Sequence, residues 1–315
     1  TYRITTNQPR YLNLTAAEFA LNPDADYGAK KKIDRALRDA VAYRVYADLQ
    51  RGWKITMPNL EQTGQLVIGY DSLRDIAADQ RLWEHDEVNA DPVFLNATTA
   101  EREHALRVLL DELRRNLCIE TPYLTEERYD EIRRSSAEWL RTPWALSEER
   151  GIYSAICFPG KKRAGADRSN LYLSGLSLYG RWLRRADRFA ELRDHKLKVE
   201  QATDLIFQMC RGLAKAGLLF KVEEKNRPTG YRIQASMLQW TPGEGTKRAA
   251  DPLRGNSAVG RVNPYFATFY ADAARGLAGL EAREHTAQVR PDDRRDREAA
   301  FGDAKLPVLY CSPTM

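Results

Sequence analysis

A glycine–lysine pair is the first feature of this sequence that could bind a phosphate group. Gly160-Lys161 could end a GxxxxGK[ST] loop, in which backbone N–H groups and the lysine cradle the phosphates of a nucleotide. However, position 155 is alanine instead of glycine, and Lys162 stands where that loop needs a serine or threonine. The sequence therefore predicts no P-loop.

A pair of acids, Asp111-Glu112, imitates the acidic box that binds Mg²⁺ in ATP-hydrolysing proteins. Leucines recur at helical spacing around the pair, and Thr98-Thr99 precede them as candidate caps. These leucines are Leu106, Leu109, Leu110, Leu113 and Leu117. The helical interpretation is therefore favoured over a strand that ends in a metal-binding box.

Histidine and cysteine spacing excludes the common metal and nucleophile motifs. The cysteines are Cys118, Cys157, Cys210 and Cys311, and the histidines are His85, His104, His195 and His285. The cysteines stand 39, 53 and 101 residues apart, which excludes a CxxC zinc site and disfavours a disulfide scaffold. There is no HExxH and no Gly-x-Ser-x-Gly sequence. We therefore expect no catalytic residue and no metal ligand in this chain, and a reducing, cytoplasmic location.

Basic residues between positions 161 and 232 are the candidates for binding nucleic acid. They are Lys161, Lys162, Arg163 and Arg168 in a loop, Arg181, Arg184, Arg185 and Arg188 on the next helix, and Lys221, Arg227 and Arg232 on a predicted hairpin. Each neutralised phosphate releases counterions, which supplies affinity without sequence information. The alternative is a solvated face, because acids such as Asp187 and Glu223 are interspersed. Tyr179 and Trp182 could stack on bases, although their helical spacing favours the core.

Residues 200–235 follow the order helix, glycine, strand, polar turn and strand. Apolar residues share one face of the predicted helix 200–216, which Gly217 ends. Predicted strands 218–222 and 231–235 flank a turn rich in asparagine, proline and glycine. This order, and the stretch 213–219, resemble a winged helix, in which the hairpin is the wing.

The C-terminal stretch contains an ordered series of motif residues. His285, Arg294 and Phe301 are followed by an apolar run, 306–311, which we expect to be a strand and which Ser312 follows directly. Arg294 lies seven residues before Phe301, and Phe301 lies eleven residues before Ser312. This series resembles the second motor domain of superfamily 2 (DEAD/DEAH-type) helicases, and stretches 56–64 and 167–173 resemble the insertion between the motors of large bacterial members.

The resemblance implies a part of an ATP-dependent DNA helicase or translocase. It makes His285, Arg294, Ser312 and Thr314 helicase-motif residues, of which Ser312 and Thr314 would contact the nucleic-acid backbone or couple the motors. ATP and Mg²⁺ are implied for the parent protein and not for this segment. The implied partners are DNA, the rest of the helicase chain and a possible subunit of a bacterial antiphage defence complex. The alternatives are a free-standing winged-helix DNA-binding module and a partner-docking platform without ATPase activity.

The elements that position these residues predict a mixed α+β, predominantly helical chain. Its 315 residues are 43% apolar and 30% charged, with 49 Lys and Arg against 44 Asp and Glu, so cores can form. No stretch approaches the roughly 18 apolar residues of a membrane helix. We expect a helical insertion (1–150), a basic loop and winged helix (151–241), a linker (242–260) and an incomplete RecA-like α/β motor domain (261–315). Because a chain rarely ends on an unpaired buried strand, we expect a segment of a larger protein.

Overall fold

The computed structural model shows a mixed α/β protein, in which about half of the residues are helical. It describes residues 27–50, 58–141, 144–146, 151–162, 165, 167, 169–190, 196–223, 228–254, 260–266, 268, 282–285, 291–306 and 308–311. The chain divides into two compact units. The described residues of the first belong to 41–130 and 150–264, and those of the second to 27–40, 131–149 and 265–315.

Helices and short strands alternate along the chain. The helices are α1 (Tyr27–Gln50), α2 (Leu73–Ala78), α3 (Gln80–Glu84), α4 (Pro92–Leu95), α5 (Thr99–Arg115), α6 (Glu126–Trp139), α7 (Leu178–Leu183), α8 (Val199–Lys215) and α9 (Pro291–Gly302). The strands are β1 (Leu66–Tyr70), β2 (Ile119–Glu120), β3 (Cys157–Pro159), β4 (Leu171–Leu173), β5 (Leu219–Val222), β6 (Gly230–Gln234), β7 (Leu238–Pro242), β8 (Ala282–His285) and β9 (Val308–Cys311).

Helix α5 confirms the leucine stripe that the sequence shows. Thr98 caps it with a capping box, since its hydroxyl accepts from the backbone N–H of Glu101 while the Glu101 carboxylate accepts from Thr98 N. The stripe leucines Leu106, Leu109, Leu110 and Leu113 are buried in the core. Satisfied end groups and a buried apolar face together explain why this segment is a helix.

A five-stranded sheet is organised around β6. This strand pairs antiparallel with β5 along its whole length, with Phe220 opposite Arg232 and Val222 opposite Gly230. It also pairs antiparallel with β3 at Tyr231 and parallel with β2 at Ile233 and Gln234. Strand β4 continues the sheet by pairing parallel with β3. Residues from both sides of position 150 thus share one sheet.

Helix α8 packs on one face of this sheet. Its residues Leu205, Ile206, Met209 and Leu213 are buried, in agreement with the predicted amphipathic helix. A Cβ atom at position 212 would collide with the Trp83 ring, so glycine lets α3 approach α8 closely. The hairpin β5–β6 follows α8, as the sequence predicts.

The sequence predicts a linker at 242–260, after β7, but the described residues of this segment make specific contacts. Strand β7 pairs antiparallel with β1. Beyond it, Gly245 N donates to Gly64 O at 2.9 Å and Ala249 N donates to Glu61 O at 3.2 Å. Asp251 is fully buried and forms an ion pair with Arg115, in which the guanidinium nitrogen lies 3.2 Å from the carboxylate oxygen. Residues 242–254 therefore belong to the packed part of the first unit.

A buried arginine connects three segments of the first unit. The side chain of Arg114 is 1% exposed. Its guanidinium donates to both carboxylate oxygens of Glu61, to Asp111 Oδ1 at 3.0 Å and to the Tyr70 hydroxyl at 3.2 Å. This charge is tolerated in the core because it is paired and hydrogen-bonded.

The second unit contains a parallel strand pair and a helix between the two strands in sequence. In the pairing of β8 with β9, Ala282 lies opposite Val308 and His285 lies opposite Cys311. Helix α9 contacts both strands. Elsewhere in this unit, Ser136 Oγ accepts from Leu146 N at 3.0 Å, and Lys32 lies over the Trp139 ring.

Two local predictions need correction. The apolar spacing around Tyr179 and Trp182 predicts a helix through 171–188, but residues 171–173 form β4 and the helix begins only at Leu178, where Ser177 caps it by accepting from Gly180 N. The apolar run 152–158 predicts a strand, but only 157–159 pair, because β2 takes the same edge of β6 at Ile233 and Gln234 and Ala155 N donates instead to Leu117 O. Among the described residues, no helix combines the length and apolar character needed to cross a bilayer.

Replacement of Arg114 by methionine will lower the free energy of unfolding by about 3–5 kcal/mol, because it leaves the buried Glu61 carboxylate without its partner. Urea denaturation monitored by circular dichroism measures this change. The matched control is Arg107→Met, whose ion pair with Glu103 involves a side chain that is 41% exposed and which should change stability by less than about 1 kcal/mol. Equal effects of the two replacements would contradict the assignment.

Candidate nucleic-acid interface

Two basic segments emerge at the same end of the sheet. Strand β3 runs antiparallel to β6, with Cys157 opposite Tyr231, so the end of β3 lies beside the beginning of β6. Residues 160–162 leave this end of β3, and residues 228 and 229 enter β6 there. We name this place the basic sheet end: the sequence segment called loop 160–170 begins there, and the segment called turn 223–229 ends there. Strand pairing thus brings together segments about 60 residues apart.

The first turn of loop 160–170 is fixed by its backbone. Gly160 has φ +132°, a conformation that side chains disfavour, and its N–H donates to Leu173 O at 2.7 Å. At the other end of the loop, Asn170 Oδ1 accepts from Ile156 N at 2.9 Å. Lys161 and Lys162 are exposed between these anchors.

Lys162 is held over an aromatic ring. Its Nζ lies 5.6 Å from the centroid of the Tyr172 ring, within the range of a cation–π contact. Tyr172 in turn stacks on Phe158, with a centroid separation of 5.6 Å and an interplanar angle of 21°. Sequence reasoning missed these two aromatic residues, although their places on adjacent predicted elements were visible. The ammonium group is thus positioned and still solvent-accessible.

The hairpin residues differ in their availability. Arg232 donates to Glu120 Oε2 at 3.0 Å and to the carbonyl oxygens of Ala155 and Ser154, so it holds β6 to neighbouring segments. Lys221 is exposed. The pKa of Glu87 is lowered mainly by the hydrogen bond from Lys215 and to a smaller degree by the charge of Lys221, so an acid lies near Lys221.

The arginines in and after α7 also divide into two kinds. Arg184 donates to Leu197 O at 2.8 Å, and the guanidinium carbon of Arg188 lies 4.7 Å from the Trp182 ring centroid. Arg188 also forms an ion pair with Asp187 at 3.2 Å. By contrast, Arg181 and Arg185 are exposed. Only the exposed pair is available for a phosphate without breaking these intramolecular contacts.

Tyr179 and Trp182 lie in the core, as their helical spacing favours. Tyr179 is fully buried, and its hydroxyl donates to Ala105 O at 2.9 Å. Trp182 is 2% exposed and stacks on Tyr179 with a centroid separation of 5.7 Å. Neither ring is available to a base.

Helix α8 does not present a basic surface. Its exposed side chains are Glu200, Gln201, Asp204 and Lys215, and the remainder of the helix is buried or half-buried. A helix that enters a DNA groove needs an open face that tolerates phosphates. The acids Glu200 and Asp204 repel phosphates, so the basic sheet end is the better interface.

Several predicted site residues lie outside the described residues. These are Arg163, Arg168, Arg227, Ser312 and Thr314. Of the helicase-motif residues, His285 is the last residue of β8 and Arg294 lies in α9. The pairing of β8 with β9 places the position before Ser312 directly opposite His285.

The structure agrees with a helix at the acidic pair and gives both acids other partners. Asp111 accepts from the Tyr70 hydroxyl at 2.7 Å, and Glu112 accepts from Arg254 at 2.9 Å. These carboxylates do not fit a Mg²⁺ site, because arginines already occupy their oxygens. In the part of the chain that the structure describes, no group of three or more His, Cys, Asp or Glu side chains could hold a metal ion.

No protein-family model, no curated protein and no solved structure matches this chain.

Iodoacetamide at pH 8 will leave Cys118, Cys157 and Cys210 unmodified in the native protein. All three thiols are buried, and burial raises the pKa of Cys118 and of Cys157, so the reactive thiolate does not form. Mass spectrometry of the labelled peptides measures this, and the same reaction in urea is the control in which all three react. Rapid native labelling of Cys157 would show that it is a reactive thiol and not a core residue.

Proposed function

We propose that this chain is a nucleic-acid-guiding segment of an ATP-dependent DNA helicase or translocase. The observation that carries the proposal is the basic sheet end, where one strand pairing gathers loop 160–170 and turn 223–229. The exposed Lys161, Lys162 and Lys221 lie in or beside these segments and supply positive charge. The same stretches of sequence also contain Arg163, Arg168 and Arg227.

The proposed contacts are to phosphates and carry no base specificity. Lys161, Lys162 and Lys221, with Arg163, Arg168 and Arg227, neutralise the backbone and release counterions. The exposed Arg181 and Arg185 are assigned further phosphate contacts, whereas Arg184, Arg188 and Arg232 keep their intramolecular contacts. The hairpin acts as the wing of a winged helix, and α8 serves as its core helix.

The second unit supports the motor part of the proposal. Strand β8, helix α9 and strand β9 form a βαβ arrangement with parallel strands, which is the repeating element of RecA-like α/β domains. Functional loops of such domains follow the carboxyl ends of strands. His285 and Ser312 occupy these places in sequence, Thr314 lies two residues beyond Ser312, and Arg294 is carried by the intervening helix.

ATP and Mg²⁺ belong to the parent protein in this proposal. The motor as a whole would hydrolyse ATP, and the present chain would guide the strand and contribute to the second motor domain. The antiphage setting, a partner subunit and a cytoplasmic location rest on the helicase resemblance alone.

A partner-docking module is the second candidate. Two apolar side chains are exposed at the start of α7: Leu176, in the preceding turn, is 56% exposed, and Leu178, the first residue of the helix, is 40% exposed. Exposed apolar residues are typical of protein interfaces when they form a patch. A docking module would bind its partner with little dependence on phosphate contacts.

The double replacement Lys161→Ala/Lys162→Ala will flatten the salt dependence of DNA binding. The slope of log affinity against log salt concentration should decrease by about two, because two phosphate contacts are removed. Fluorescence anisotropy at a series of salt concentrations measures this slope.

The matched control is Lys30→Ala/Lys31→Ala, which removes an adjacent exposed lysine pair from α1 and should leave the slope unchanged. An unchanged slope in the loop variant would remove loop 160–170 from the interface. Binding without any salt dependence in the unaltered chain would favour the docking module.

A further inference from the structure

The face of the sheet that lies opposite α8 combines aromatic and basic side chains. Opposed residues share a face, so Phe220 and Arg232 lie together across β5 and β6. Tyr172 and Phe158 share this face across β4 and β3. A Cβ atom at position 230 would meet Ile156 and the Phe158 ring, so these two side chains lie over the outer side of β6.

Phe220 is the open ring on this face. Its side chain is 46% exposed, although it lies in the middle of a strand whose neighbour Leu219 is buried. A large exposed aromatic residue on a regular strand is costly to hydrate, and its flat ring is accessible for stacking. In contrast, the Phe158 side chain is 5% exposed, and the ammonium group of Lys162 lies over the ring of Tyr172.

Two basic side chains, Arg232 and Lys162, lie on the same face of the sheet as this ring. Arg232 lies directly opposite Phe220. The Arg232 side chain is 22% exposed, and its guanidinium group donates hydrogen bonds to Glu120 and to backbone carbonyls. Lys162 lies at the other side of the sheet, three strand spacings or roughly 14 Å across. Because Glu120 already pairs with Arg232, Lys162 supplies the charge on this face that is available to a phosphate backbone crossing the sheet.

We propose that this face binds single-stranded nucleic acid, with one base stacked on Phe220 and the backbone directed towards Lys162. The inference rests on the proposed function and adds the form of the nucleic acid to it. Tyr172 is a positioning residue, because it acts through the ammonium group of Lys162.

A single strand fits this face better than a duplex does. The bases of a duplex stack on one another and present only their edges in the grooves, so an open aromatic ring has no base plane to contact. The bases of a single strand are free to stack on aromatic side chains while the backbone follows basic residues. Sheets that bind single-stranded RNA use aromatic side chains on the open face in this way.

The test compares Phe220→Ala with the unaltered full chain on two probes. One probe is an oligothymidine of about 12 nucleotides, and the other is an abasic oligonucleotide of the same length and charge. The replacement should weaken oligothymidine binding about five-fold or more, leave abasic binding within about two-fold and leave the salt slope unchanged. Phe220→Tyr should retain binding, since it keeps the ring.

The control is Val67→Ala, which removes an exposed apolar side chain from β1, outside this sheet. It should bind both probes as the unaltered chain does, and thermal unfolding should show that all three variants are folded. Unchanged oligothymidine binding by Phe220→Ala would overturn the stacking site. If the Lys161/Lys162 replacement still flattened the salt slope in that case, the proposed function would stand without it. If Phe220→Ala left oligothymidine binding unchanged and the Lys161/Lys162 replacement left the salt slope unchanged, both the stacking site and the proposed function would be contradicted.

Discussion

Strand β6 is hydrogen-bonded along both edges, and the arrangement of the first unit depends on this pairing. One edge carries β5, and the other carries β3 and β2. Because β3 is antiparallel to β6, loop 160–170 and turn 223–229 must emerge together. The same pairing places Phe220 and Arg232 on the outer face and Tyr231 against α8. A slip of one residue would exchange the two faces and bury the charged one.

The sequence predicts elements whose signals are local. The periodic apolar residues of α1, α5, α6 and α8 and the glycine and proline punctuation of the β5–β6 hairpin each lie within a short window. The prediction for 171–188 was wrong at the window's start, because pairing with β3 overrides the helical pattern there. The pairing of β2 with β6 joins residues more than 100 positions apart and leaves no local signal.

The basic residues of the candidate interface could be predicted from the sequence, but which of them are exposed and which are engaged in hydrogen bonds could not. Sequence alone treats Lys162, Arg184 and Arg232 as equivalent, whereas in the structure the arginines donate to backbone carbonyls and Lys162 is exposed over Tyr172. Tyr179 and Trp182 fill the core, as their helical spacing favours, and Phe220 was overlooked. Which acceptors a long cationic side chain bonds depends on backbone carbonyls that lie far away in sequence, and only the fold brings these carbonyls near. The helicase resemblance and the domain division stay predictions.

The central claim is that nucleic acid contacts the basic sheet end and the face beside it. Hydrogen exchange of the full chain, with and without saturating oligothymidine, tests this most directly. The account predicts slower exchange in peptides that cover 157–173 and 219–234, with no change in peptides that cover the exposed Glu200 and Asp204 of α8. Protection centred on α8, or none in either sheet segment, would contradict it.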